Sequence, residues 1–467
     1  MLLAHWHYGA MYSVSLRRAS LFAASLLTLA ACAHFEPRPL QPETIAEKYD
    51  ALSLNDYELR VFLQANAPQL AEPWPRPWWD LPALTLAAFH FNTDLRLARA
   101  QWQTAEATVA AAGMRANPSL TLAPTYNVDA QSGTSPWLPG VSVDIPIETA
   151  GKRRLRIGKA EHLAEAARLN FIGAAWQVRS ELRSALIELT AAQRRLSLLQ
   201  DQLRVQQRIA DLLQQRFDLG AASAAELSPA RVAITRLQLD LTEAERQQTD
   251  AQSNLARALG VPLHALTGVS LNFALDPAPA LDAAQSRRLA LQYRADIAAG
   301  LAEYAASESD LQTEIAKQYP DLHLGPAYEW DQGESKWSLG IGFELPLNRN
   351  RGGIAQAEAQ REESAARFHA LEAGVIAQID QASATHHLAT DQLTRARTLH
   401  EALANDIARQ EVRLRAGDID QLEYQTAKLE AAVSAVAVLD IETQAARAAG
   451  ALEDAIQQPL AALDALK

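Results

Sequence analysis

The chain of 467 residues has a single cysteine, Cys32, so cysteine-based metal or redox chemistry has no second partner within it. Beyond the N-terminal segment, no stretch reaches the ~20 consecutive apolar residues that a spanning helix needs. A mature chain that crosses a membrane must therefore do so with strands. Positive charge is also short: 43 Lys and Arg face 55 Asp and Glu, giving a net charge of −12. That excludes the basic stripe expected of a nucleic-acid-binding protein. Aromatic residues are 6% of the chain, thin for an enzyme core, and there is no phosphate loop, nucleophile elbow or dinucleotide fingerprint. An enzyme is not expected. Nor is a metal site or cofactor, because no His-x-x-x-His pair converges. His386 and His400 fall on positions of a helical seam with His387 beside one, where a polar residue more often sets coiled-coil register.

What the sequence has in abundance is helix. Glycine and proline are missing from 174–219, and apolar residues recur in steps of four and three: Val178, Leu182, Ala185, Leu189, Ala192, Leu196, Leu199, Leu203, Ala210, Leu213 and Phe217. That is an a/d seam. A helix from Lys152 to Phe217 would be about 100 Å long at 1.5 Å per residue. Such a rod must lie against others. The pattern returns from Val375 through Ile379, Ala382, Ala389, Leu393, Ala396, Leu403 and Ile407 to Leu414, at a constant offset of 197 positions. The chain is an internal duplication.

At the N-terminus, Arg17 and Arg18 precede a short apolar run and then Leu29-Ala30-Ala31-Cys32. A basic region, an apolar core and small residues before a cut describe a bacterial secretory signal. The last four residues resemble a lipobox, in which Cys32 becomes the lipidated first residue, and Ala33 after it points to the outer membrane. Met11 is an alternative start to Met1.

The expected organisation is a signal at 1–31, a proline-rich strap at 32–80, a first repeat at 81–260, a linker at 261–285, a second repeat at 286–458 and a tail at 459–467. Each repeat opens with one helix, Leu81 to Met114 and Ser286 to Lys317, ended by Pro118 or Pro320. A β-hairpin follows at 118–147 or 320–347, then a long helical hairpin at 152–259 or 353–458. The tips are marked by Gly220 and Gly417, which suit a left-handed helix end. The Trp residues of Pro73-Trp74-Pro75-Arg76-Pro77-Trp78-Trp79 are read as packing.

The strands alternate. Leu120, Leu122, Tyr126 and Val128 oppose Thr121, Ala123, Thr125 and Asn127. Trp337, Leu339, Ile341, Phe343, Leu345 and Leu347 oppose Ser338, Gly340, Gly342 and Glu344. About ten residues with one apolar face is the pattern of a transmembrane barrel. Four strands cannot close a barrel and an open edge cannot sit in lipid. Three chains would supply twelve strands around a polar lumen.

These features together resemble the TolC-type outer-membrane factors of tripartite efflux and type I secretion. The residues that carry the resemblance are Trp78-Trp79, Asn92-Thr93-Asp94-Leu95 with its echo Arg294-Ala295-Asp296-Ile297, the strand ends at Pro146 and Pro346, and the two glycine-marked tips. The turn Gly151-Lys152-Arg153-Arg154 is most similar to the CzcC-like heavy-metal branch. The resemblance implies a homotrimer with a barrel in the outer membrane and a helical tunnel across the periplasm. It also implies docking of a periplasmic adaptor and an inner-membrane transporter of RND type at the tips near Gly220 and Gly417. Asp420 and Glu423 match acids that ring the tunnel mouth in related channels and favour cations. They read equally well as solvated acids in the first turn of a helix. Drug efflux, protein secretion and a soluble periplasmic coiled-coil scaffold are the competing functions.

Overall fold

The computed structural model describes residues 34–275, 282–331 and 333–460. The signal, Cys32 and residues 461–467 of the tail lie outside them. The chain divides into two compact units at Ala51 and Leu52. The described part of the first contains one helix, α1 (Pro42–Asp50), with proline in its first turn and no buried residue.

The second unit holds the duplication. It begins with α2 (Tyr57–Asn66) and a short 3-10 turn, then α3 (Leu81–Phe91) and α4 (Thr93–Ala112). The single helix expected from Leu81 to Met114 is thus broken. Asn92 sits in extended conformation and its Oδ1 accepts hydrogen bonds from the backbone N–H groups of Asp94 and Leu95, capping α4. The second copy breaks likewise, into α7 (Ala283–Tyr293) and α8 (Ala295–Ala316), at Arg294.

The joint is built twice with different chemistry. Asn92 Nδ2 donates to the Ala258 carbonyl at 3.2 Å, and Arg294 Nη1 donates to the matching Ala455 carbonyl at 2.7 Å. Arg294 cannot cap its own helix, so Gln457, opposite, accepts from the Ala295 N–H at 2.8 Å. The equivalent of Gln457 in the first copy is Gly260, where a Cβ would stand 2.9 Å from Asn92 Cα. Side chain and close approach have exchanged places between the repeats.

The long helices are α5 (Lys152–Asp218), α6 (Ala224–Leu259), α9 (Arg351–Ala416) and α10 (Gln421–Ile456). They lie side by side in the order α6, α5, α10, α9. α5 has neighbours on both flanks and buries Val178, Leu182, Ala185, Leu189, Ala192 and Leu199 of its expected seam. α9 is an edge helix, so only Val375, Ile379, Ala382, His386 and Leu393 of its seam are buried. Its lower half, with Leu403, Ile407 and Leu414, is half-exposed. The main core lies where α2 and α3 pack on α5 and α6 around Leu59, Leu63, Leu84, Leu182, Leu186 and Leu255. The linker is tied there too: the Trp79 N–H donates to Ser270 O at 2.9 Å and the Asn272 N–H to Trp79 O at 2.8 Å. Trp79 is buried, while Arg76 stacks over Trp78 and Trp79.

The strands form one antiparallel sheet, ordered β1 (Ser119–Leu122), β4 (Gly140–Ile147), β5 (Leu322–Asp331) and β6 (Glu334–Phe343). A small ladder of β2 (Thr125–Tyr126) and β3 (Trp137–Leu138) extends the first hairpin. The first strand was expected unbroken to Val128. It is interrupted before Thr125 at Pro124, which has no N–H to give to a ladder. β6 was expected to reach Leu347 but ends at Phe343, three residues before Pro346.

Candidate functional site

The sheet has two chemically distinct faces. Leu120, Val143, Ile145, Leu324, Trp337, Leu339 and Ile341 share one; Thr121, Ser142, Asp144, His323, Ser338 and the glycines of β6 share the other. Nothing within the described residues covers the apolar face over β6: Trp337 is 79% exposed, Leu339 67% and Ile341 65%. Tyr126 against Trp137 and Tyr328 against Trp337 cluster aromatic rings toward the hairpin turns. Burying such a surface is worth about 25 cal/mol per Å² of apolar area. A sheet that leaves it open has its solvent or partner elsewhere.

At the other end, the sheet hands over to the helices through a web of ion pairs. Lys152 pairs with Asp321 at 2.8 Å and Nζ also donates to Tyr319 O; Lys159 pairs with Asp310 at 2.6 Å. Arg153 Nε donates to Gly113 O, and Arg156, paired with Glu148, donates to Ala112 O and Met114 O. Arg153 of the basic turn and Arg156 after it therefore cap the C-terminus of α4, whose last carbonyls lack helical partners. In the second copy Asn350 Nδ2 does this for Glu314 O. A cavity of about 630 Å³ lies inside this web, lined by Lys152, Arg156, Lys159, His323 and Glu344 among others. On the polar face, His323 Nδ1 lies 3.0 Å from Asp144.

The two copies are fastened together along α5 and α10. Arg183, buried, contacts Glu453 at 2.5 Å, Asp454 at 2.6 Å and the Gly450 carbonyl at 2.8 Å. Trp176 Nε1 and the Ser180 hydroxyl also donate to Asp454, and Arg179 to Glu453. Further along, Glu188 pairs with Arg447, Arg195 with Asp440, and Glu442 with both Arg194 and Arg397. Buried charges are tolerated where each has partners. No local sequence signal marked this knot, although Gly450 in an alanine-rich helix was visible.

At the tips, Gly220 and Gly417 have φ of 73° and 80°, left-handed values that favour glycine. Ser223 and Asp420 are equivalent N-caps at the repeat offset. Ser223 makes a reciprocal capping box with Glu226; Asp420 Oδ1 accepts from the N–H groups of Leu422 and Glu423. Asp420 Oδ2 also receives Arg216 Nη2 at 2.6 Å, linking the tip of α10 to the last turn of α5. The Glu423 N–H and the Arg216 guanidinium hold the Asp420 carboxyl below its usual range. Glu423 is exposed and shares an open groove with Asp420 and Glu430. The two acids named from sequence thus differ: one is capped and paired, the other projects freely. Arg216 was not singled out.

Among the described residues, no group of His, Cys, Asp and Glu could hold a metal ion, and no helix is long and apolar enough to cross a membrane. His386 is buried in the seam, and His387 lies 3.5 Å from Asp391 on its own helix.

Residues 87–261 match the family of outer membrane efflux proteins. The chain is 27% identical over 286 residues to the cobalt-zinc-cadmium resistance protein CzcC of Cupriavidus metallidurans, covering 60% of this chain and 66% of that protein. It is 31% identical over 189 residues to the pyoverdine export outer membrane protein OpmQ of Pseudomonas putida, covering 38% of this chain and 40% of that one. The chain thus aligns with just under two thirds of the first relative and two fifths of the second. The crystal structure of the CmeC outer membrane channel of Campylobacter jejuni superposes with a TM-score of 0.65 at 17% identity, over 80% of this chain and 85% of CmeC. That likeness establishes the fold.

Proposed function

We propose that the chain, whose residues 87–261 match the family of outer membrane efflux proteins, is the exit duct of a tripartite efflux system. Three copies form a twelve-stranded barrel in the outer membrane and a helical tunnel below it. The observation that carries the reading is the uncovered apolar face of a sheet whose two edge strands, β1 and β6, each have an outer edge with no partner strand among the described residues. In lipid such a sheet is stable only when closed.

The duplication supports one way of closing it. Within one chain, β4 of the first copy pairs with β5 of the second, and α8 packs against both α5 and α9. α4 is the counterpart of α8 and rests on α5, yet it buries only Leu95, where α8 buries Ala295, Ile297, Ala299, Ala306, Leu311 and Ala316. Its empty flank fits α9 of a second copy, just as β6 fits β1 of that copy. A head-to-tail contact of this kind repeats until the ring closes.

In this reading the duct is passive. The tips around Gly220 and Gly417 meet a periplasmic adaptor and an inner-membrane transporter of RND type, and Cys32 carries a lipid anchor. Asp420 and Glu423 ring the mouth. Three copies of a free Glu423 near the axis favour cations, which suits the passage of metal ions; the relative CzcC is named a cobalt-zinc-cadmium resistance protein. The test is single-channel recording of the purified protein in planar bilayers. A cation-selective conductance that loses selectivity in Glu423→Gln supports duct and ring. A protein that forms no channel refutes the duct, and selectivity unchanged by Glu423→Gln refutes the ring.

A further inference from the structure

Charge is distributed unequally between the two ends of the sheet. In the strands and their hairpin turns the one lysine or arginine is Lys336, which is paired with Asp331, against the acids Asp129, Glu329, Asp331 and Glu334 toward the turns. At the helix end the chain carries Arg115, Arg154, Arg349 and Arg351, all exposed and none with an ion-pair partner among the described residues. Beside them in sequence stand exposed apolar side chains: Met114 at 71%, Leu345 at 69% and Leu347 at 91% exposure.

Two of these arginines can be oriented. Lys152, Arg156 and Lys159 share one face of α5 and line the cavity that also receives His323 and Glu344 from the polar face of the sheet. Arg154 lies two residues from both Lys152 and Arg156, hence about 160–200° around the helix from them. It therefore stands on the side of the apolar sheet face. Arg351 occupies the same place in the second copy, at the repeat offset of 197. Their presence is not explained by helix stability. α5 and α9 have no acid in the first turn, where α4, α6, α8 and α10 each have one. A cation there opposes the helix dipole.

We infer that Arg154 and Arg351, flanked by Arg115 and Arg349, form a collar at the lower edge of the barrel that binds the headgroups of anionic phospholipids in the periplasmic leaflet. The inference rests on the barrel proposed above and names the lipid chemistry and the residues that read it. In a trimer the two equivalent arginines make six outward sites at one level, where the apolar band ends and headgroup phosphates begin. Guanidinium groups suit phosphate oxygens because they present a planar fork of donors. Paired lysines facing the lumen would not do this.

The experiment is native mass spectrometry of the full-length oligomer in neutral detergent, titrated with phosphatidylglycerol or with phosphatidylethanolamine. Wild type should retain phosphatidylglycerol in preference, and Arg154→Gln with Arg351→Gln should weaken retention by about five-fold for each arginine removed. Arg154→Lys with Arg351→Lys should fall between the two, since charge is preserved and the planar fork is lost. Equal retention of the two lipids, or a double glutamine variant indistinguishable from wild type, overturns the inference. Conductance of the same preparations in neutral bilayers separates the two readings. A conducting protein without lipid preference removes only the collar, whereas a wild type that never inserts removes the duct and the collar with it.

Discussion

Replacing Gly450 by alanine tests whether the knot between α5 and α10 is rigid. In a helix interior Gly→Ala normally stabilises by about 1 kcal/mol. Here the new Cβ would lie 2.8 Å from Arg183 Nε and 3.2 Å from its Cζ. A free arginine head would swing aside at little cost. This one is buried and held by Glu453, Asp454 and the Gly450 carbonyl. Moving it takes the shared cation from two carboxylates, leaving Glu453 with Arg179 and Asp454 with only the Trp176 and Ser180 donors, and breaking a buried ion pair costs about 3–5 kcal/mol. Net of the helix gain, Gly450→Ala should destabilise by about 2–4 kcal/mol. Gly173→Ala and Gly374→Ala serve as controls, because their added Cβ meets nothing within 4 Å in the chain. The assay is unfolding in detergent followed by tryptophan fluorescence, to which Trp176 contributes from inside the knot. A Gly450→Ala protein as stable as its controls would refute the reasoning.

The tip link between Arg216 and Asp420 is more than a third exposed on both sides, so it is worth at most about 1 kcal/mol per copy. Asp420→Asn keeps the cap but loses the ion pair and should raise open probability by up to about five-fold per copy, read by single-channel recording. Because the Asp420 carboxyl is held below its usual range, the link is complete above the unfolded value of about 3.9. It is lost as pH falls through the lower folded value, so wild-type conductance should stay level from neutrality to about pH 4 and rise below it. Asp420→Asn should show no such rise. On the barrel wall, Leu339→Arg should cost about 2–4 kcal/mol of folding into vesicles, measured by urea titration. Ser338→Arg, one residue away on the polar face, should be near neutral.

The rods, the duplication and the four-stranded sheet were legible because each is periodic, and a period survives without knowing its partner. What depended on single polar atoms was less legible. The break at Asn92 looks like continuous helix by apolar spacing, yet one side-chain oxygen capping two N–H groups was enough to start a new helix. Pro124 cut a strand that the alternation alone carried further. The Arg183 knot joins residues some 270 positions apart, which no local pattern encodes. Asp420 was found through the resemblance to related channels, but its pairing with Arg216 lay beyond the sequence because it bridges two hairpins.

The central claim is that β6 of one copy pairs with β1 of the next until three copies close. It is tested most directly by cysteines placed on the two edge strands, Leu120→Cys with Ile341→Cys and its neighbours in register, in the full chain with Cys32 retained. After oxidation in membranes, the account predicts a covalent ladder that ends at three copies, with either single variant yielding none. A protein that stays monomeric under oxidation for every register, or cross-links beyond three, would contradict it.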